Sequence, residues 1–242
     1  MRILSFDVAS KSLAVSIVNV NGEWRRDLRE VREGFGGVDM SGMGAVEACE
    51  HVLRYVSKVR EVVDGLVSVE MIDVVDLIPG EKLKGSSPVV RANRLRAYLD
   101  GLGRRLEGEY KVLLEYQMGP NDKSRSVCSQ LLYHFSCGDG GFRCVNESLA
   151  GGRVGSPVYD VEIVGPSLKN KISFDKPHQY FVKKYAKMYD ANKKHSVCNL
   201  EYWVRRNKLE KMVERVPKKN MDDVADSVMM ALAWVILKSG VV

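Results

Sequence analysis

The sequence predicts an α/β domain built on a mixed sheet. Three strand-like runs come first, and helices alternating with two further strands follow, which is the pattern of such a domain. A third observation marks where function is to be sought: "MDDVADSVMMALAW" (221–234) sets three aspartates at the mouth of an otherwise apolar helix.

The elements follow in order. "RILSFDVA" (2–9) and "LAVSIVNV" (13–20) are apolar, β-branched runs separated by a short polar turn. They read as a hairpin whose first strand ends at Asp7. "LVSVEMIDVVDLI" (66–78) is a third strand, closed by Pro79-Gly80. Residues 21–65 hold a charged stretch, the glycine-rich "GFGGVDMSGMG" and an amphipathic helix over Ala45 to Val63, and are expected to be an insertion in a single domain spanning 1–242. A proline-started helix (88–106), a strand (109–117) carrying Glu115 near its end, and a helix (122–135) come next. After a Gly/Ser-rich loop (138–156), "VYDVEIVGP" (158–166) gives the fifth strand. Three helices close the chain, over Pro177 to Tyr189, His195 to Val213 and Asn220 to Lys238.

Composition narrows the class. At 242 residues and 45% hydrophobic, the chain can bury a sizeable core. Apolar runs such as Val228 to Leu237 fall short of the roughly 20 residues needed to cross a bilayer, and Met1 leads straight into a strand, so a soluble intracellular protein without membrane association is expected. Five cysteines at irregular spacings, with no CxxC, indicate neither a disulfide framework nor a zinc site. The net charge of +6 is unevenly spread: residues 169–219 hold 15 Lys/Arg against 5 Asp/Glu. Concentrated positive charge is the footprint of a polyanion such as nucleic acid, although lysine-faced solvated helices would look the same.

The acids can now be placed together. Asp7 ends the first strand and Glu115 the fourth, each behind an apolar run ("ILSF", "VLL") that anchors it in a sheet. Asp223 and Asp226, three apart, share a face of the closing helix, while Met221, Val224, Val228, Leu232 and Val235 line the opposite one. Asp222 pairs with Asp226 at a spacing of four, so spacing alone leaves the choice between Asp222 and Asp223 open. Asn220 as an N-cap, with Asp222 and Asp223 in the first turn, would equally serve to start the helix. Asp226 resists that account, since it lies beyond the first turn among apolar neighbours, where an uncompensated carboxylate is costly. Four such oxygen donors suit Mg²⁺ or Mn²⁺, and two of these ions about 4 Å apart can drive phosphodiester hydrolysis.

In order, "SFDVASKSLAVSI", "VLLEYQ", "NKKHSV" and "DDVADSVMMALAW" resemble the RuvC-type Holliday junction resolvases of the ribonuclease H-like superfamily, most nearly those of poxviruses and iridoviruses. The resemblance implies a ribonuclease H-like mixed five-stranded sheet flanked by helices. It also implies an Mg²⁺-dependent endodeoxyribonuclease, tolerant of Mn²⁺, that cuts four-way DNA junctions as a homodimer, in viral recombination or concatemer resolution, at a host-cytoplasmic replication site. Carried over, Asp7, Glu115, Asp223 and Asp226 are metal ligands and a lysine of "KKHSV" is catalytic, with Lys194 favoured over Lys193. Lys123, Arg125, Lys169 and Lys171, beside Lys193 and Lys194, are candidate contacts to the DNA backbone. Tyr180, Phe181, Tyr185 and Trp203 are expected in the core rather than stacked on bases, and His195 to be incidental. A ribonuclease H or another branched-DNA nuclease would share the acids. A non-catalytic nucleic-acid-binding module would keep the basic stretch without needing all four, and an actin-like ATPase would need phosphate loops following strands, which the glycines here do not supply.

Overall fold

The computed structural model describes residues 1–36, 38–80, 82, 84–116, 121–137 and 158–240. The loop expected at 138–156 lies outside them. The strands are β1 (Arg2–Val8), β2 (Ser12–Val20), β3 (Val67–Asp76), β4 (Glu109–Glu115) and β5 (Val158–Val164), and the helices α1 (Trp24–Gly36), α2 (Ala45–Leu66), α3 (Pro88–Gly103), α4 (Asp122–Cys137), α5 (His178–Lys184), α6 (Met188–Asn207), α7 (Glu210–Val213) and α8 (Met221–Lys238). The five strands form one sheet in the order β3-β2-β1-β4-β5. β1, β2 and β3 pair antiparallel, while β1–β4 and β4–β5 are parallel. This is the mixed, helix-flanked sheet the sequence predicts.

β1 lies at the centre with both faces covered, which is why "ILSFDV" is buried throughout. Strand alternation sends Leu4, Phe6 and Val8 into one core, with Val127, Leu131 and Phe135 of α4 and Leu95 and Leu99 of α3. Ile3 goes to the other, which is dominated by α8. β2 divides likewise, Leu13 and Val15 to the first core, Ala14 and Val18 to the second. β4 sends Val112 and Leu114 to the first and Leu113 to the second. Asp7 and Glu115, even-numbered steps from Ile3 and Leu113, therefore face α8.

Residues 21–65, expected as an insertion, form α1 and α2, whose Trp24, Leu28, Val31, Val59 and Val63 join the α8 core. Trp24 packs on Trp234 with ring centroids 6.0 Å apart. The helix α1 was hidden by charge: in "WRRDLREVREGF" only Trp24, Leu28, Val31 and Phe35 mark its inner face.

Between 177 and 213 the helices break elsewhere than expected. The first stops at Lys184, where Tyr185 turns extended, and the second starts at Met188 rather than His195. Ala191, His195, Asn199 and Trp203 form one buried stripe along α6, and two polar members disguised it. Asn199 is there because its side-chain oxygen accepts from the Phe174 amide at 2.6 Å and its amide donates to the His195 carbonyl, so its own buried polar groups are satisfied. α6 ends at Asn207, short of the expected Val213, and is capped by Lys208, whose φ of 56° is left-handed. Glycine adopts that conformation without a Cβ penalty, and Lys208→Gly should stabilise the protein by about 0.5 kcal/mol after the added unfolded-chain entropy is subtracted. A chemical denaturation midpoint unmoved or lowered by Lys208→Gly would contradict it.

Candidate active site

Parallel pairing of β1 with β4 brings two acids side by side. The register runs to Phe6 opposite Leu114, so Asp7 and Glu115 follow at the same end of adjacent strands on the α8 face. α8 crosses β1 and β2 there and delivers Asp223 and Asp226. A cleft of about 460 Å³ is lined by all four acids together with Ser10, Asn121 and Ser124 on one side and Tyr189, Asn192 and Lys193 on the other. Another cavity, of about 250 Å³ between α1 and α2, is lined by Phe35, Val38, Met40 and Tyr55 and no acid.

Each acid is held differently. Asp223 accepts a hydrogen bond from the Ser12 hydroxyl at 2.8 Å, tying the last helix to the first hairpin. Asp7, Glu115 and Asp226 surround the ammonium of Lys169, on the short 3₁₀ turn Leu168–Lys171 after β5. Its Nζ is 3.1 Å from Glu115 Oε1 and 3.8 Å from Asp7 Oδ1, and bonds Asp226 Oδ2 more closely. The other Asp226 oxygen is buried without a hydrogen-bond partner.

Burial sets the electrostatics. It raises the Asp7 carboxyl well above the usual range, against the pull of Lys169, with Glu115 and Asp226 pushing further the same way. Asp226 is raised chiefly by burial despite Lys169, and Asp223 by burial despite Ser12. For Lys169 burial works to lower the pKa, and the three carboxylates override it and hold the ammonium charged. Four acids thus face more negative charge than one lysine balances.

Asp222 points elsewhere. It pairs with Lys193, whose Nζ also lies 4.8 Å from the centre of the Tyr189 ring. Burial works to lower the Lys193 pKa, but Asp222 and Tyr189 raise it, which keeps Lys193 a cation on the cleft wall. Lys194 is exposed and lines a neighbouring cavity with Tyr185, Val197 and Lys218. Asn220 stands at the N-cap position of α8 without a side-chain cap bond, so the alternative helix-starting role is not what its side chain performs. Lys171 and Arg125 are exposed, Arg125 pairing with Asp122, and Lys123 is half-buried on α4. None of these three lines the acidic cleft. Lys169, expected as a DNA-backbone contact, is buried among the acids.

Of the aromatics, Phe181 and Trp203 are buried as expected, while Tyr180 is exposed and Tyr185 half-buried. His195 is buried with Nε2 2.9 Å from the Ser173 hydroxyl. Burial, with His178 nearby, pushes its imidazole down to about 4, so it is neutral at pH 7 and no phosphate-binding cation. Sequence reasoning missed the place of Lys169 and Tyr189 in the cleft and the bond from Ser12 that holds Asp223 there. Lys169 follows the end of β5, and Asp7 and Glu115 lie at the ends of β1 and β4, but only the order β1-β4-β5 makes those ends neighbours.

Residues 169–238 match the poxvirus A22 protein family. The matched segment contains Lys169, Lys193, Asp223 and Asp226, and with "NKKHSV" and "DDVADSVMMALAW" it includes two of the four motifs on which the sequence resembles the poxvirus resolvases. Asp7 and Glu115 lie outside the A22 match and enter the site through the sheet. A solved structure titled "Thermus thermophilus RuvC structure" is similar over 99% of this chain and 97% of that one, with 16% identity and a TM-score of 0.43. No curated protein matches the chain. No helix among the described residues is long and apolar enough to cross a membrane.

Proposed function

We propose that this protein is a metal-dependent endonuclease that resolves four-way DNA junctions, working as a homodimer in the cytoplasm of an infected host cell. The observation that carries the reading is the convergence of Asp7, Glu115, Asp223 and Asp226 on one cleft, with Lys193 on its wall and the A22-matching segment supplying half of it.

Among the described residues, no three His, Cys, Asp or Glu side chains stand in a ligand arrangement, and the Lys169 ammonium lies amid the carboxylates. Their chemistry nonetheless fits a hard divalent cation: the donors are all carboxylate oxygens, one Asp226 oxygen is buried and unpartnered, and burial leaves the cluster short of positive charge. Asp7, Glu115, Asp223 and Asp226 would hold Mg²⁺ or Mn²⁺, which would supply Lewis acidity at the scissile phosphodiester. The chain's own residues do the rest. Asp222 holds Lys193 as a fixed cation on the cleft wall, where it can meet negative charge developing on the phosphate. Ser12 fixes Asp223, so α8 cannot shift without pulling on the β1–β2 turn.

A panel of four-way junctions, flaps, linear duplex and RNA–DNA hybrid, cut with Mg²⁺, tests the reading. Symmetric paired nicks in junctions are expected; preference for the hybrid would make it a ribonuclease H, and cleavage of nothing a binding module. Sedimentation of a junction-bound monomer would remove the pairing of cuts.

Geometry favours Lys193 over Lys194 as the lysine acting in the reaction. Lys193→Ala is expected to slow single-turnover cleavage even when protein saturates the junction, because the lost contact matters most in the transition state. Lys194→Ala should mainly weaken binding and flatten its salt dependence, by about one unit of slope for each phosphate contact removed. Reversed phenotypes would return the assignment to Lys194.

A further inference from the structure

Lys169 is the unexpected member of the cluster. It is 9% exposed, and its ammonium touches carboxylates from three separate elements, Glu115 of β4, Asp226 of α8 and Asp7 of β1. Lys193, by contrast, pairs with one acid, and the two acids paired with Lys111, Asp160 and Glu162, both come from β5. The turn that carries Lys169 is braced by the Leu168 amide donating to the Gly165 carbonyl and packs against α8, so the ammonium is aimed rather than draped over the surface. Burying one ammonium among three carboxylates is a poor way to gain stability, since desolvation offsets much of the attraction. A cation of higher charge would neutralise the cluster better.

We propose that Lys169 is a resident counter-ion, whose ammonium holds Asp7, Glu115 and Asp226 together in the metal-free protein and has to withdraw when a divalent cation binds. The inference rests on the reading of the cluster as a metal centre. Lys169 then acts as a positioning residue with two opposed effects. It keeps three mutually repelling acids assembled before metal arrives, and it lowers the apparent metal affinity by the fraction of molecules in which it has already withdrawn.

Calorimetric titration of the full chain with Mn²⁺, without DNA, reads this directly. If the ammonium is in place in most molecules, Lys169→Met should bind Mn²⁺ roughly tenfold more tightly than the wild type. Its metal-free melting temperature should fall, and the rise on adding Mn²⁺ should exceed the wild-type rise. Equal or weaker Mn²⁺ binding by Lys169→Met would overturn the counter-ion role while leaving the metal centre standing. Binding by neither protein would overturn the metal centre and the counter-ion together. Should Lys169→Met fail to fold, the wild type carries the test. The rate at which an amine-reactive acylating reagent modifies Lys169, followed by mass spectrometry, should rise on saturation with Mg²⁺ while that of Lys111 stays constant. An unchanged rate at Lys169 in protein that binds Mg²⁺ would exclude displacement.

Discussion

Asp7→Asn and Glu115→Gln are each expected to abolish junction cleavage, by several orders of magnitude, while junction binding stays as tight as in the wild type or tightens slightly. Both carboxylates are buried at the C-terminal ends of interior strands, so neither amide can swing away and let a neighbour replace it. Each substitution removes charge from a centre whose function would be to hold cations against a phosphodiester, and the isosteric amide keeps the packing of β1 and β4. Affinity, in contrast, comes mostly from Lys and Arg neutralising phosphates, and less negative charge in the cleft cannot weaken that. Cleavage and gel-shift assays on the same preparations decide it. Substantial residual cutting by either variant would mean that the reaction occurs elsewhere.

The second large effect separates the three aspartates of α8. Asp226→Asn and Asp223→Asn should each lose activity by orders of magnitude, whereas Asp222→Asn should lose about ten- to a hundredfold, the usual cost of disturbing a group that orients another. Asp226 bonds Lys169 among the other acids and Asp223 faces the same cleft, while Asp222 holds Lys193. Successive residues on a helix point roughly 100° apart, so Asp222 and Asp223 cannot exchange roles without turning α8. Single-turnover rates at saturating protein give the ranking, and an Asp222→Asn variant as dead as Asp226→Asn would place Asp222 in the metal centre.

How much of this could be read beforehand depended on the range of the interaction. The strands β1 to β5 announce themselves through local alternation and β-branched runs, and the acids at their ends through the apolar residues before them. α8 is legible for the same reason: the cost of an unpaired Asp226 amid Val224, Ala225 and Val228 is a local fact. Helix α1 was obscured because its four apolar positions are outnumbered by charges, and the start of α6 because its buried stripe includes His195 and Asn199, whose partners are remote in sequence. What separates Asp223 from Asp222 in space is the bond of the one to Ser12 and of the other to Lys193, 211 and 29 residues away. Lys169 was beyond reach for a different reason: among many lysines of a basic segment, nothing local distinguishes the one that meets three acids.

The hydrogen bond from Ser12 to Asp223 joins positions near opposite ends of the chain, and α8 lies across the two strands made first. Contacts of such sequence separation form late and slowly, because the intervening loop entropy is lost before they are gained. While the chain is being synthesised, β1 and β2 are complete long before α8 leaves the ribosome. Their face then lacks its cover, and Asp7 lacks the other half of the cleft. Assembly of the acidic cleft is thereby tied to the arrival of α8, and a chain without that helix holds only Asp7 and Glu115 of its four acids. In denaturant the same coupling should make loss of cleavage and loss of the α8 core coincide in one transition.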